Sequence, residues 1–246
     1  MVQGFISAII AYGKALGLIR KLGLWFYVFV PGLLSLLFGG LILSLVWNYA
    51  DNIGDWATAW YRWRGEGIAN TVGAVLSGLL IIVLTFLLFK YIIIVLVSPF
   101  MSLLSEKVEK HLTGNSSSTP FQMTKLLKDV VRGLSLAGRN ILWELLLTAI
   151  LLLASFVFPV LAPFTAALIF LIQAYYAGAG NLDFAMERHF SFRESIRFVR
   201  RNRGLAIGNG AVFLLLFLTG IGFLFAPTLA TIAGTLEVVR RVARKE

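Results

Sequence analysis

Residues Leu145 to Gln173 read "LLLTAILLLASFVFPVLAPFTAALIFLIQ", 29 positions without a charge. About 20 consecutive apolar residues cross a hydrocarbon core of about 30 Å. A second uncharged apolar run extends from Ile68 to Phe89. Of the 246 residues 59% are hydrophobic and only 14% charged, against about 25% charged in soluble domains. Lipid leaves no partner for an open backbone group, and such runs are best satisfied as helices. The sequence therefore predicts an all-α integral membrane protein forming one membrane domain over residues 1–246.

Two long spans are expected, at about 24–49 and 70–97. Pro31 falls in the first turns of the first span, where a missing N–H costs least. Between the spans, "DNIGDWATAWYRWRGEG" carries Trp56, Trp60, Tyr61 and Trp63, the composition of an interfacial aromatic belt. Cations collect elsewhere. Lys107 to Arg139 holds six Lys or Arg, and the C-terminus ends in Arg240, Arg241, Arg244 and Lys245. Positive-inside logic places the inter-span loop outside and both termini in the cytoplasm. The N-terminal "MVQGFISAIIAYGK" has no positive charge ahead of its apolar stretch. It reads as a retained interfacial helix rather than a secretory signal.

Between the basic segments lie two apolar stretches, Leu142 to Ala177 and Leu205 to Leu236, of 36 and 32 residues. Two crossings need about 40 residues plus a turn. Pro159 and Pro163 interrupt the first stretch; Gly220, Gly222 and Pro227 interrupt the second. Both are expected to be hairpins that enter the membrane and turn back. The segment Thr119 to Arg139, "TPFQMTKLLKDVVRGLSLAGR", opens on a capping box and has one apolar face. It is expected to be an amphipathic interfacial helix.

The most basic stretch is Glu187 to Gly204, "ERHFSFRESIRFVRRNRG", with six arginines. Ser191 and Glu194 form a second capping box. Arg193, Arg197, Arg200 and Arg201 follow at helical spacing as a basic stripe. Paired guanidinium N–H groups suit a tetrahedral oxyanion. They equally suit lipid phosphates, and both readings stay open. Lys90, in "LLFKYIII", is a charge inside the second span, either functional or snorkelling toward the headgroups. Glu144, at the mouth of the first hairpin, could pair with it. Asp183, Glu187 and His189 form a small polar cluster after the presumed glycine turn "GAGN". That cluster has too few ligands for a metal site. With no cysteine and two histidines, disulfides and thiolate metal sites are excluded. No catalytic triad, Walker-type loop or nucleic-acid-binding motif is present, so neither an enzyme, a bound cofactor nor a nucleic-acid partner is expected.

The run "LVSPFMSLLSEKVEKHLTG" (Leu96 to Gly114) resembles the CysZ-type sulfate permease family and its eukaryotic etoposide-induced relatives. The likeness continues through "LLKDVVRGL", through Asp183 to Arg203, and through "GFLFAPTLATIAGTLEVVRR" (Gly222 to Arg241). The resemblance implies ATP-independent sulfate uptake across the inner membrane for cysteine synthesis. It also implies a homo-oligomer built from two long helices and two hemi-penetrating hairpins. Family members carry a Gly-Leu/Ile-Arg-Arg motif before the proline corresponding to Pro31. Here Gly23 and Leu24 match, but Trp25 and Phe26 stand where the arginines would be. Arg20 and Lys21 lie just upstream and could serve in a shifted register. The candidate anion-binding residues are thus Arg20, Lys21, Gly23, Leu24, Lys90, Arg193, Arg197 and Arg200. A small inorganic anion and membrane lipids are the expected partners. The alternative is a non-transporting membrane protein that binds lipid or a protein partner through its basic cytoplasmic face.

Overall fold

The structure, a computed structural model, describes residues 1–34, 36–42, 44, 97–114, 123–158, 160, 162–219 and 221–244. The aromatic loop, the second span up to Leu96 with Lys90, and the capping box at Thr119 to Gln122 lie outside the described residues. The chain divides into two compact units, Leu33–Leu96 and the remainder, Met1–Gly32 with Val97–Glu246. No strand occurs among the described residues. The helices are α1 (Val2–Leu22), α2 (Phe26–Ile42), α3 (97–113), α4 (Met123–Val157), α5 (Ala162–Met186), α6 (Phe192–Arg201), α7 (Arg203–Leu218) and α8 (Ala226–Val242). Of these, α1, α5 and residues Val131–Val157 of α4 are long and apolar enough to cross a membrane.

Helix α7 packs against α5, α1 and α8, and glycine makes the approach possible. A Cβ on Gly178 would lie 1.9 Å from the Ala206 carbonyl oxygen, and one on Gly210 would lie 1.8 Å from that of Ala174. Close helix contact through small residues is a characteristic way to associate helices in lipid. The expected glycine turn at "GAGN" is therefore not a turn. Helix α5 runs through it, because Gly178 serves contact with α7 while Gly180 faces open space.

One buried amide ties the bundle together. Asn209 of α7 accepts at its Oδ1 from Asn181 Nδ2 of α5 at 3.0 Å, and its own Nδ2 donates to the Ala230 carbonyl of α8 at 3.0 Å. Tyr12 of α1 donates its hydroxyl proton to the Asn209 carbonyl at 2.8 Å. All three polar side chains are buried, so each needs the partner it has.

Helix α1 is more than the expected interfacial helix. Ala8, Ala11, Tyr12, Ala15 and Ile19 form a buried stripe at the three- and four-residue spacing of one helix face. That stripe packs on α7 and α8. The segment expected as a separate surface helix before the first hairpin is the beginning of α4, which continues unbroken to Val157. The first hairpin's helices thus extend beyond the apolar limits at Leu142 and Ala177, as 35 and 25 residues. By contrast α7 and α8 have 16 and 17 residues, about 24–26 Å each at 1.5 Å per residue.

Pro31 leaves the Tyr27 carbonyl without its usual donor four residues on. The Thr228 hydroxyl of α8 supplies one instead, at 2.7 Å. Gly32 packs against Leu224 in the α7–α8 connection. At the preceding corner Gly23 has φ 61° and ψ 39° and ends α1, while the Leu24 N–H returns to the Ile19 carbonyl at 3.0 Å. This is a Schellman-type stop, with Leu24 and Ile19 both buried.

Gly210→Ala should lower the melting temperature of the detergent-solubilised protein, since the added methyl meets a rigid carbonyl rather than a movable side chain. Overpacking of this kind costs about 1–3 kcal/mol. Gly180→Ala, which meets nothing within 4 Å, should leave the melting temperature unchanged or raise it. Equal effects at the two positions would refute the contact role of Gly210.

Candidate functional site

Among the described residues some cations are paired with a carboxylate and others are not. Two mostly buried pairs lie where α3, α4 and the end of α5 meet. Arg132 of α4 donates from Nη1 and Nη2 to the two carboxylate oxygens of Asp183, each at 3.0 Å, and from Nη2 to the Ser195 hydroxyl at 2.7 Å. Arg188 donates from Nε to Glu109 Oε2 at 2.7 Å and from Nη2 to the Ser105 hydroxyl at 2.7 Å, with Nη2 also 2.7 Å from Glu109 Oε2. His189 Nε2 lies 2.7 Å from Glu109 Oε1, and the Ser102 hydroxyl donates to Glu187. The expected cluster of Asp183, Glu187 and His189 is thus dispersed among separate partners on α3 and α4. Among the described residues no group of three or more His, Cys, Asp or Glu could hold a metal.

These two arginines were legible in the sequence only as surface cations. Arg132 falls in the segment expected as an amphipathic interfacial helix, and Arg188 is one of six arginines in a basic stretch. Their partners lie 51 and 79 residues away, beyond the reach of local pattern. Bidentate pairing of this kind is geometrically specific. With side chains only 16% and 10% exposed, the Arg132–Asp183 pair fixes helix positions and has no free cation to offer an anion.

Helix α6 forms as its sequence dictates. Glu194 Oε2 accepts from the Ser191 N–H at 2.9 Å and from its hydroxyl at 2.7 Å, closing the expected capping box. Those two donors hold the Glu194 carboxyl below its usual range. Ser195, Phe198 and Val199 face inward, leaving Arg193, Arg197, Arg200 and Arg201 exposed.

The exposed cations do not converge on one place. Arg200, Arg201, Arg203, Arg240, Arg241 and Arg244 line a cleft of about 610 Å³ between the start of α1, the α6–α7 junction and the end of α8. Neither Arg193 nor Arg197 lines it. Within it, Glu237 is buried and accepts from Ser7 at 2.9 Å and from Arg241 Nη2 at 3.0 Å, with Arg240 Nη1 at 3.5 Å. Arg20 and Lys21 are exposed in the last turn of α1. Nineteen residues separate Lys21 from Val2, roughly 28 Å of helix. Arg20 and Lys21 therefore form one basic position, next to Gly23 and buried Leu24. Arg200 belongs to another, at the opposite end of the bundle. At the first end Trp25 and Phe26 are exposed aromatic side chains. The cleft's α8 arginines lie in the sequence "LEVVRRVARKE", three, four and seven residues after Glu237. That spacing signals one helix face, although nothing local indicates which other helix faces it.

Asp183→Asn should destabilise the protein strongly by leaving the Arg132 guanidinium mostly buried without its counter-charge. Such losses amount to about 3–5 kcal/mol, and solvent access to the pair places the expectation at the lower end. Replacing Arg132 by Met together with Asp183→Asn should recover part of that loss. Chemical denaturation across the double-mutant cycle measures it, and strictly additive effects would dismiss the pairing.

Residues 11–227 match the family described as Sulfate transporter CysZ/Etoposide-induced protein 2.4. A protein named Sulfate transporter CysZ from Pseudomonas aeruginosa is 26% identical over 244 residues, covering 95% of this chain and 94% of that protein. One of the same name from Pseudomonas paraeruginosa shows the same identity and coverage. A family match of this extent, on a helical chain with three helices suited to crossing a membrane, has one reading: the chain belongs to the CysZ/etoposide-induced protein 2.4 family of membrane proteins.

Proposed function

We propose that this protein transports a small oxyanion, sulfate in the first instance, across the inner membrane without ATP, supplying cysteine synthesis. What carries the proposal is the near full-length likeness to proteins named sulfate transporters. The charge distribution supports it: exposed, unpaired cations stand at both ends of the α1–α7–α8 bundle, roughly 28 Å apart along α1. Such a field concentrates divalent anions at a pathway mouth. In this reading Arg20 and Lys21 contact the anion beside the Gly23–Leu24 corner, replacing the arginine pair whose place Trp25 and Phe26 occupy. Arg193, Arg197 and Arg200 belong to the cytoplasmic face, where they attract the anion and orient the protein against anionic headgroups. The active species is a homo-oligomer with both termini in the cytoplasm.

Purified protein in liposomes should take up labelled sulfate saturably. Replacing Arg20 and Lys21 with Gln should reduce sulfate binding by tens-fold, since charge-assisted hydrogen bonds contribute about 1.5–3 kcal/mol each. Expression and oligomer size should be unchanged. Absence of uptake by the parent protein would remove the transport reading. It would favour the alternative, a membrane protein that binds lipid or a partner through the exposed arginines of α6. Unchanged affinity in the double variant would remove Arg20 and Lys21 from the site.

The α7–α8 hairpin enters from the cytoplasmic side and turns back within the membrane. Helices of about 24–26 Å fall short of a hydrocarbon core of about 30 Å, which supports this arrangement. The α4–α5 hairpin has the length to cross. The protein contains no cysteine, so single introduced cysteines report cleanly. Ala243→Cys should react with an impermeant thiol reagent only from the cytoplasm. Ile221→Cys, at the α7–α8 connection, should resist the reagent from both sides. Rapid external labelling of Ile221→Cys would make that hairpin a full crossing, while Val160→Cys reads the α4–α5 connection in the same experiment.

A further inference from the structure

The arginine cleft at the start of α1 has more cationic capacity than the protein uses. Arg200, Arg201, Arg203 and Arg244 are exposed, and none has a hydrogen bond or ion pair with a described residue. Arg240 is 53% exposed and holds Glu237 only at 3.5 Å. Arg241 alone is committed, to Glu237, Ser7 and Asn202. Like-charged side chains crowded into one concavity repel one another, and a bound polyanion would relieve that repulsion.

Backbone polarity at the cleft is mixed: α6 and α8 end there, with Arg200, Arg201, Arg240 and Arg241 on their last turns. Helices α1 and α7 both begin at the cleft and have no acidic residue in their first turns. Asn202, at the start of α7, does not cap it. Its Nδ2 donates to the Phe198 carbonyl at 2.9 Å and its Oδ1 accepts from Arg241 at 3.4 Å. The positive end of α7 is thus uncompensated by its own capping side chain, a condition that favours an anion.

Size and the one acceptor narrow the ligand class. A cleft of about 610 Å³ lies within the ordinary range for small-molecule sites, about 300–1,000 Å³. It is roomy for a bare tetrahedral ion and suited to a phosphate with an attached glycerol or sugar. Glu237 is a carboxylate acceptor among these donors, and its Oε1 has only the long contact to Arg240. A phosphate monoester titrates with a second pKa of about 6, so a fraction carries an O–H proton at neutral pH. Sulfate carries none. An acceptor in a cationic site favours the anion that can donate to it.

We propose that this cleft is a binding site for a phosphate monoester, carried by a lipid headgroup or by a soluble phosphorylated compound. The site lies at the opposite end of α1 from Arg20 and Lys21. It is measured on solubilised protein, so failure of sulfate uptake leaves it standing.

The test uses the full chain in two settings. Inorganic phosphate and glycerol phosphate are titrated calorimetrically into protein in neutral detergent, with sulfate at matched ionic strength as competitor. Phosphatidylcholine nanodiscs containing phosphatidic acid, or phosphatidylglycerol as the diester control, form the second arm. Saturable binding of a monoester in either arm is expected, with sulfate and phosphatidylglycerol weaker. Arg203→Gln combined with Arg244→Gln should weaken that binding about tenfold or more, with an unchanged melting temperature. The corresponding double Lys variant should lose less, and it provides the comparison if the Gln variant melts early. Binding in the nanodisc arm alone identifies a lipid source, and binding in the soluble arm alone identifies a free compound. No saturable binding in either arm, full competition by sulfate, or unaltered binding by a folded Gln variant would overturn the proposal.

Discussion

Asn209 is the constraint on which the arrangement of α1, α5, α7 and α8 depends. A side-chain amide buried among apolar helices must satisfy its donors and acceptors within the protein, because neither lipid nor distant water supplies a substitute. Asn209 does so through Asn181 and Ala230, while its backbone carbonyl takes the Tyr12 hydroxyl at the same level of the bundle. The distances are short only because Gly178 and Gly210 present no side chain where α5 and α7 meet. Polar satisfaction and close packing are here one requirement. The hydrogen bonds fix the register, and the glycines admit the helices to hydrogen-bonding range. Everything at the bundle ends inherits that register, including the meeting of Ser7, Glu237 and Arg241 at the start of α1.

The other end is set by a proline. In α2 Pro31 orphans the Tyr27 carbonyl, and Thr228 answers it from α8. The usual cost of an interior proline becomes a tie between the start of α2 and α8. With Gly23 in the left-handed region and Leu24 buried beneath it, the α1–α2 corner is rigidly defined. Two exposed cations, Arg20 and Lys21, thus stand on a firm support. They also lie where the α1 carbonyls carry negative partial charge, so part of their field is offset locally. At the cleft the polarity is mixed: α1 and α7 begin there, while α6 and α8 end there with Arg200, Arg201, Arg240 and Arg241 in their last turns. What distinguishes the cleft from the corner is the number of its cations, six arginines against Arg20 and Lys21.

Local pattern in the sequence identified the helical class, the Ser191–Glu194 capping box, the exposed basic stripe of α6, and the family. It misjudged features decided by contact between distant helices. A glycine pair reads as a turn or as a packing surface with equal ease, and only the presence of Ala206 opposite Gly178 separates the two. The capping box and single apolar face of Thr119 to Arg139 suggested a surface helix separate from the hairpin. Arg132 has in fact found Asp183, which lets the charged start of α4 continue directly into its apolar part. For α1 the scattered charges obscured a narrow stripe of small residues, which is a weak hydrophobic signal but sufficient for close packing.

The candidate site residues were grouped by charge type in the sequence, and helical geometry separates them. Arg20 and Arg200 could not share a small anion, because α1 holds them at opposite ends of its length. The two basic positions are therefore separate and do not form one binding pocket within this chain. The internal arginines contribute differently. Arg132 and Arg188 are satisfied by Asp183 and Glu109 and present little net charge to a passing ion. A dianion held by buried unpaired arginines would be bound too tightly to leave, since desolvation strengthens every such contact. With Arg132 and Arg188 held by carboxylates, exposed cations without one stand near both ends of α1, Arg20 and Lys21 at one and Arg200, Arg201, Arg203 and Arg244 at the other.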